Sequence, residues 1–268
     1  MISNSILLAF SLTLFAGLST GIGSFMAFLS KDFKPKFLAG SLGFSAGVMI
    51  YVSMIEIFYK AKASLTDALG EKNGYYLTVF AFFLGVAVIA IIDKLIPSID
   101  NPHEVSKLKH NLNEDEKSQK LKRMGLFSAL AIGIHNFPEG LATFMAALND
   151  PALGVSIAVA VAIHNIPEGI AVSVPLYYAT KSRKKAFWYS FSSGLAEPVG
   201  AVVGFFILQA FINDAVFGIV FAAVAGIMVY ISLDELLPTA EEYGEHHIAI
   251  GGLIAGMFVM AISLLLFV

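Results

Sequence analysis

The chain has 268 residues, of which 57% are hydrophobic and only 14% are charged, and its formal net charge is -3. Its mean hydropathy of +0.77 lies far above that of a water-soluble domain, so most of the chain must be surrounded by lipid or by its own helices. The chain has no cysteine, which excludes disulfides and thiolate metal ligands.

Apolar stretches of roughly 20 residues or more predict eight membrane-spanning helices, and therefore an all-α polytopic membrane protein. We number these predicted spans 1 to 8. They lie near residues 5–29, 37–60, 75–97, 124–148, 152–180, 186–211, 215–238 and 247–268. Residues 1–268 are expected to form one transmembrane domain. The polar segment at about 98–123, which contains His103 and His110, is predicted to be a flexible cytoplasmic loop.

The distribution of basic residues predicts the orientation, because short cytoplasmic loops retain Lys and Arg. If the N-terminus is outside, 14 of the 17 basic residues lie on the cytoplasmic side. Three of these lie between spans 1 and 2, seven lie at the end of span 3 and in the link to span 4, and four lie between spans 5 and 6. The other three, Lys60, Lys62 and Lys72, lie at the end of span 2 and in the link to span 3. Both termini are therefore expected to face out.

Two pairs of segments repeat each other along the chain. Span 2 reads GVMIYVSMIE over residues 47–56 and span 7 reads GIMVYISLDE over residues 226–235, with Gly, Met, Tyr, Ser and Glu at matching positions. A weaker match joins GLSTGIG at residues 17–23 to GLAEPVG at residues 194–200. The repeated spans are an odd number apart and cross the membrane in opposite directions. This predicts a 3+2+3 arrangement in which spans 1–3 and 6–8 are inverted repeats.

The polar chemistry is concentrated in spans 4 and 5, which carry HNFPEG at residues 135–140 and HNIPEG at residues 164–169. The link around Asp150 and Pro151 is too short for anything but an antiparallel hairpin. At 1.5 Å rise per residue, the two motifs then differ in depth by only ~5 Å. In each motif the His and the Glu are four residues apart and share a helix face, which the Asn flanks. Glu197 in span 6 adds a third carboxylate to the middle of the membrane.

Three carboxylates within a membrane are costly unless they are compensated, and these central segments contain no Lys or Arg. A combination of imidazole, carboxylate and amide oxygen suits Zn²⁺, Fe²⁺, Mn²⁺, Co²⁺ or Cd²⁺. The candidate metal-binding residues are His135, Asn136, Glu139, His164, Asn165, Glu168 and Glu197. Interhelical hydrogen bonding could account for one such motif, but it accounts poorly for two facing copies together with a third acid.

The tandem motifs, with the acidic-proline pair at Glu197 and Pro198, resemble the ZIP family of metal transporters over the whole chain, most of all its bacterial ZupT-like branch. The resemblance implies a multi-pass protein of the bacterial plasma membrane, the cell inner membrane, with eight helices and outer termini. It also implies uptake of Zn²⁺ into the cytoplasm through a two-metal site at the midplane. By motif position, one centre would comprise His135, Glu139, His164 and Glu168, and the other Asn136, Asn165 and Glu197 with Glu139 and Glu168 as bridges.

Three classes of function remain open from the sequence. A carrier or channel explains the repeats, the proline-flanked ligands and two further acids, Glu56 near the outer end and Glu235 near the inner end of the path. A membrane-embedded metal-dependent hydrolase would use similar ligands, but the sequence lacks an HExxH-type base. A non-transporting sensor or scaffold is the third class. We expect a protein that is not an enzyme. Its expected partners are divalent metal ions and the lipid bilayer, with no nucleic acid and with a homodimer left open.

Overall fold

The computed structural model describes residues 2–29, 35–95, 114–208, 213–243 and 246–265. Within these ranges the chain is helical and contains no strand, which confirms the all-α class. Seven stretches of the described residues are long and apolar enough to cross a membrane. They are Asn4–Phe25, Pro35–Leu69, Glu71–Lys94, Pro151–Val174, Arg183–Ile207, Asp214–Glu241 and His246–Leu265. The chain is therefore a multi-pass membrane protein.

The helices follow the predicted spans closely. They are α1 Ile2–Leu29, α2 Pro35–Val52, α3 Phe58–Leu69, α4 Glu71–Leu95, α5 Glu114–Asn149, α6 Pro151–Thr180, α7 Arg183–Gly194, α8 Ala196–Leu208, α9 Asp214–Ile231, α10 Leu237–Tyr243 and α11 His246–Leu265. Most ends agree with the predicted ones within a few residues, because the apolar length of each segment sets the length of helix that lipid can surround. The end of span 2 is an exception, since its helix continues to Leu69, past the predicted end near residue 60.

The beginning of α5 differs from the prediction. This helix begins at Glu114, ten residues before the predicted start near residue 124, so residues 114–123 are helical and not loop. Hydropathy marks where a chain leaves the apolar layer, whereas Glu, Lys and Gln continue a helix readily in water. The rest of the predicted loop, with His103 and His110, lies outside the described residues.

The helices pack as two groups. In the first group α1 and α5 both pack along α6, α8 packs against α5, and α7 packs against α1 and α6. In the second group α2 packs along α11, and α9 packs along α3 and α4. The groups meet chiefly where α2 packs against α6. Both motif helices belong to the first group, so this group positions the candidate site.

Helices within each group come into backbone contact at glycines. A Cβ added at Gly47 would lie 2.0 Å from the carbonyl oxygen of Leu253, and one added at Gly226 would lie 2.0 Å from the carbonyl oxygen of Phe82. Only a residue without a side chain allows so close an approach, which is a common way of packing helices in membranes. Gly47 and Gly226 occupy the same position in the two repeated segments.

A π-helical turn interrupts each of the two repeated helices at the same place. Ser53–Ile57 joins α2 to α3, and Ser232–Leu236 joins α9 to α10. Such turns insert one extra residue into the helix and often occur at functional sites. Each carries one of the two acids predicted to line the path. The Glu56 carboxylate lies 4.0 Å from the ammonium of Lys60, and Glu235 is buried.

Candidate metal centre

α5 and α6 form the predicted antiparallel hairpin, which brings the two motifs side by side. The turn is fixed by Asp150, whose carboxylate accepts a hydrogen bond of 2.9 Å from the amide of Ala152 at the start of α6. Pro151 is the first residue of α6, where its missing amide hydrogen costs nothing. Pro138 and Pro167 lie inside α5 and α6, and neither ends its helix.

All seven predicted metal-binding residues are buried, with exposed fractions between 0% and 2%. Unpaired polar groups are costly in such surroundings, and paired or metal-bound ones are the usual solution. The buried residues of the described part of the chain include no Lys or Arg that could compensate the carboxylates. The structure therefore gathers acids and imidazoles in an apolar interior without a positive side chain.

Each histidine faces the glutamate of the other helix. The Nε2 of His135 lies 3.3 Å from Oε2 of Glu168, within hydrogen-bond geometry. The Nε2 of His164 lies 2.9 Å from Oε1 of Glu139, without the alignment of a hydrogen bond. The two crossed pairs link α5 to α6.

The two asparagines attach the hairpin to the helices on either side. Asn165 donates through its amide nitrogen to the carbonyl of Ala16 in α1, at 2.9 Å, and to the carboxylate of Glu197 in α8. Asn136 donates to the carbonyl of Ser193 in α7, at 3.3 Å. The asparagines are therefore already held by protein groups through their amide nitrogens, and their carbonyl oxygens are left for another partner.

A break between α7 and α8 places Glu197 at the start of a helix. α7 ends at Gly194 and α8 begins at Ala196. Pro198 has no amide hydrogen to donate to the carbonyl of Gly194, which removes one helical hydrogen bond at this place. Glu197 then lies in the first turn of α8, where the helix dipole favours a negative charge.

Nine polar atoms of the seven side chains have no hydrogen-bond partner. They are Nδ1 of His135, both ring nitrogens of His164, Oδ1 of Asn136 and Asn165, both carboxylate oxygens of Glu139, Oε1 of Glu168 and Oε2 of Glu197. These are nitrogen and oxygen donors of the kind that zinc uses. No three His, Asp or Glu side chains among the described residues are arranged to hold one ion together.

The sequence motifs did not predict the contacts that α1 and Ser45 of α2 make with the site. The Ser45 hydroxyl of α2 donates to the carbonyl of His164 at 3.3 Å, and the carbonyl of Ala16 in α1 holds Asn165. The signal for α1 was present in the weaker repeat, since it aligns span 1 with the span that carries Glu197. Nothing in the sequence pointed to Ser45.

Comparison with known proteins gives consistent matches. The family model described as ZIP Zinc transporter matches residues 95–264. A zinc transporter ZupT from Chlorobaculum parvum is 70% identical over 266 residues, which cover 99% of both chains. Another from Chlorobium chlorochromatii is 68% identical over 267 residues and 99% of both chains. One from Streptococcus mutans is 63% identical over 266 residues, 99% of this chain and 100% of its own.

Proposed function

Because the chain belongs to the ZIP zinc transporter family, we propose that it carries divalent metal ions, Zn²⁺ foremost, across the plasma membrane into the cytoplasm. The observation that carries this proposal is the group of seven buried His, Asn and Glu side chains at the α5–α6 hairpin. Nine of their polar atoms have no hydrogen-bond partner, and no buried Lys or Arg among the described residues balances the three acids. A dication supplies both the missing charge and the missing partners.

The proposed site has two parts. His135, Glu139, His164 and Glu168 form the first metal centre, and their crossed contacts of 3.3 and 2.9 Å support this grouping. Asn136, Asn165 and Glu197 lie around a second centre, with Glu139 and Glu168 as bridging ligands. The contact between Asn165 and Glu197 supports the second part. Fe²⁺, Mn²⁺, Co²⁺ and Cd²⁺ are proposed as alternative cargo, because the same donor atoms bind them.

The proposed architecture has eight spans in one transporter domain, with α5 added to the seven apolar stretches. α5 packs antiparallel to α6, which itself has the composition of a span. The 3+2+3 arrangement is supported by the matching glycine contacts of Gly47 and Gly226 and by the matching π-helical turns. Outer termini, and a cytoplasmic link between α4 and α5, are supported by the basic residues on the proposed inner side.

A membrane-embedded metal-dependent hydrolase is the alternative function. It would require a metal-bound water that a substrate can reach. The seven residues are at most 2% exposed, which favours an ion path over a substrate cleft. The matched relatives are also named as zinc transporters and not as hydrolases.

Zinc uptake into liposomes tests the proposal. Purified protein is reconstituted around a zinc-sensitive dye, and the wild type is expected to fill the liposomes. Glu139→Ala and Glu168→Ala should each lower the uptake rate by at least about tenfold, since metal sites lose this much when even a supporting group is removed. Glu71→Ala, an exposed acid at the start of α4, is the matched control and should transport normally. Wild-type uptake in both site variants would refute the site, and no uptake by the wild type would refute transport.

A further inference from the structure

The contacts around the α5–α6 hairpin come in matched pairs. Asn136 donates to the carbonyl of Ser193, and Asn165 donates to the carbonyl of Ala16. Ser193 directly precedes the segment GLAEPVG in α7 and α8, and Ala16 directly precedes GLSTGIG in α1. One twofold relation that exchanges α5 with α6, and α1 with the α7–α8 pair, therefore accounts for both hydrogen bonds.

The same relation makes Thr20 the counterpart of Glu197. A Cβ added at Gly140 would lie 2.1 Å from the carbonyl oxygen of Glu197, and one added at Gly169 would lie 2.3 Å from the carbonyl oxygen of Thr20. Gly140 and Gly169 are the last residues of the two motifs, each next to a candidate ligand glutamate. Thr20 and Glu197 are also the fourth residues of the two repeated segments. Contact and sequence therefore agree on the pairing.

Thr20 has a buried hydroxyl group without a hydrogen-bond partner. Its exposed fraction is 0%, and its Oγ1 makes no hydrogen bond. Other hydroxyl groups of α1 donate to carbonyls three or four residues earlier, as those of Ser11, Thr13, Ser19 and Ser24 do. An unsatisfied buried hydroxyl is unfavourable unless another partner takes it up.

The approach of α1 to Gly194 locates the hydroxyl group of Thr20. A Cβ added at Gly194 would lie 2.6 Å from Oγ1 of Thr20. Gly194 follows Ser193, whose carbonyl holds Asn136. The hydroxyl of Thr20 therefore lies beside the end of α7, where the carbonyl of Ser193 holds Asn136, whereas the carboxylate of Glu197 contacts Asn165.

On the basis of the proposed transport function, we propose that Thr20 is a further residue of the metal site. Its hydroxyl oxygen contacts the transported ion on the Asn136 side, in the place that Glu197 occupies on the Asn165 side. A neutral oxygen here keeps the number of site carboxylates at three. A fourth would hold a dication more tightly and slow its release, whereas transport requires an ion that binds and also leaves.

Removal of the hydroxyl tests its contact with the ion. Thr20→Val keeps the volume and removes the oxygen, and it should weaken zinc binding by at least about tenfold in calorimetry of the purified protein. Thr20→Ser should restore most of the affinity. Thr13→Val is the matched control in the same helix, because the buried hydroxyl of Thr13 already donates to the carbonyl of Ala9 at 3.0 Å. Wild-type affinity in a correctly inserted Thr20→Val protein would overturn the proposal.

An exchange of the two counterparts tests the twofold relation. Glu197→Thr alone should lose most zinc uptake. The double variant Thr20→Glu with Glu197→Thr moves the carboxylate to the mirror position and should recover uptake at least tenfold over the single variant. The double variant Ser19→Glu with Glu197→Thr places a carboxylate on another face of α1, and it should not recover zinc uptake. Equal uptake in the two double variants would overturn the assignment.

The two proposals fail in distinguishable ways. If wild-type liposomes take up no zinc, the transport function is wrong. If the wild type transports and Glu139→Ala does not, while Thr20→Val binds and transports as the wild type does, transport stands and only the assignment of Thr20 is wrong. The assignment of Thr20 is supported if Thr20→Val loses zinc affinity, Thr20→Ser restores it, and the exchanged double variant recovers zinc uptake.

Discussion

The crossed pairing of histidines and glutamates determines what a metal must do to bind. His135 is held by Glu168, and His164 lies against Glu139, so in the absence of an ion each helix partly satisfies the other. Metal binding would replace these contacts with metal–ligand bonds. The motifs alone placed His and Glu on one helix face, but they did not indicate that the partners come from opposite helices. The pairing of each histidine with the glutamate of the opposite helix depends on the distance between α5 and α6.

The asparagines should differ in importance, although their motifs are alike. Asn165 holds both the carbonyl of Ala16 and the carboxylate of Glu197, whereas Asn136 holds only the carbonyl of Ser193. Asn165→Ala should therefore weaken zinc binding by at least about tenfold, and Asn136→Ala should weaken it less.

Calorimetry with zinc measures this difference, and a shift in the preference for Cd²⁺ over Zn²⁺ is expected in both variants. Asn73→Ala, an exposed asparagine of α4, is the control. An effect of Asn136→Ala as large as that of Asn165→Ala would contradict the supporting role assigned to Asn165.

At the scale of helices, backbone contact between α5 and α8 holds Glu197 in place. The contact occurs at Gly140, where any Cβ would meet the backbone of Glu197. Helix positions were predictable from apolar length, and the hairpin was predictable from its short link. The two π-helical turns were not predictable, because they are shifts of single backbone hydrogen bonds that leave hydropathy unchanged.

Gly140→Ala should separate α5 from α8. The new methyl group would lie 2.1 Å from a carbonyl oxygen, which a backbone cannot avoid without moving. We expect a loss of about 1–3 kcal/mol in the free energy of unfolding and a reduction in zinc uptake. Thermal unfolding in detergent and liposome uptake measure the two effects.

Gly133→Ala is the matched control in the same helix. Its Cβ would have its nearest neighbour at 3.9 Å, an ordinary contact distance, so stability should be unchanged or slightly higher. If Gly140→Ala is as stable and active as Gly133→Ala, the contact between α5 and α8 is not needed to position Glu197.

At the scale of the whole molecule, the two groups of helices contain different candidate functional residues. The first group contains all seven candidate ligands, and the second contains both π-helical turns with Glu56 and Glu235. The division between the groups was not predictable from the repeats. The repeats show which spans are similar in sequence, but they do not indicate which spans pack together. Family membership was predictable, because the two motifs and the acidic-proline pair are specific.

Orientation is tested by labelling of single cysteines, which the native chain lacks. Asn149→Cys lies at the α5–α6 turn and should react with a membrane-impermeant thiol reagent only from outside the cell. Lys184→Cys lies in the first turn of α7 and should react only from the cytoplasmic side. Both positions are exposed. Reversed labelling would overturn the charge argument and exchange the roles of Glu56 and Glu235.

Metal affinity should fall with decreasing pH. The histidines must be neutral and the glutamates ionised in order to bind, so protons compete with the ion for every group. Apparent zinc affinity should therefore weaken steadily from about pH 7.5 to about pH 5.5, with release of protons on binding. Calorimetry in buffers of different ionisation enthalpy measures the release. Affinity that does not depend on pH or buffer would show that these groups are not the ligands.

X-ray absorption at the zinc edge most directly tests the claim that α5 and α6 bind the transported ion. In the zinc-loaded protein we predict nitrogen and oxygen ligands at about 2.0–2.2 Å, with the scattering pattern of imidazole. The imidazole signal should disappear in the His135→Ala, His164→Ala double variant. It should persist in the His246→Ala, His247→Ala double variant, in which exposed histidines are removed. Imidazole scattering that survives the loss of His135 and His164 would contradict the claim that α5 and α6 bind the transported ion.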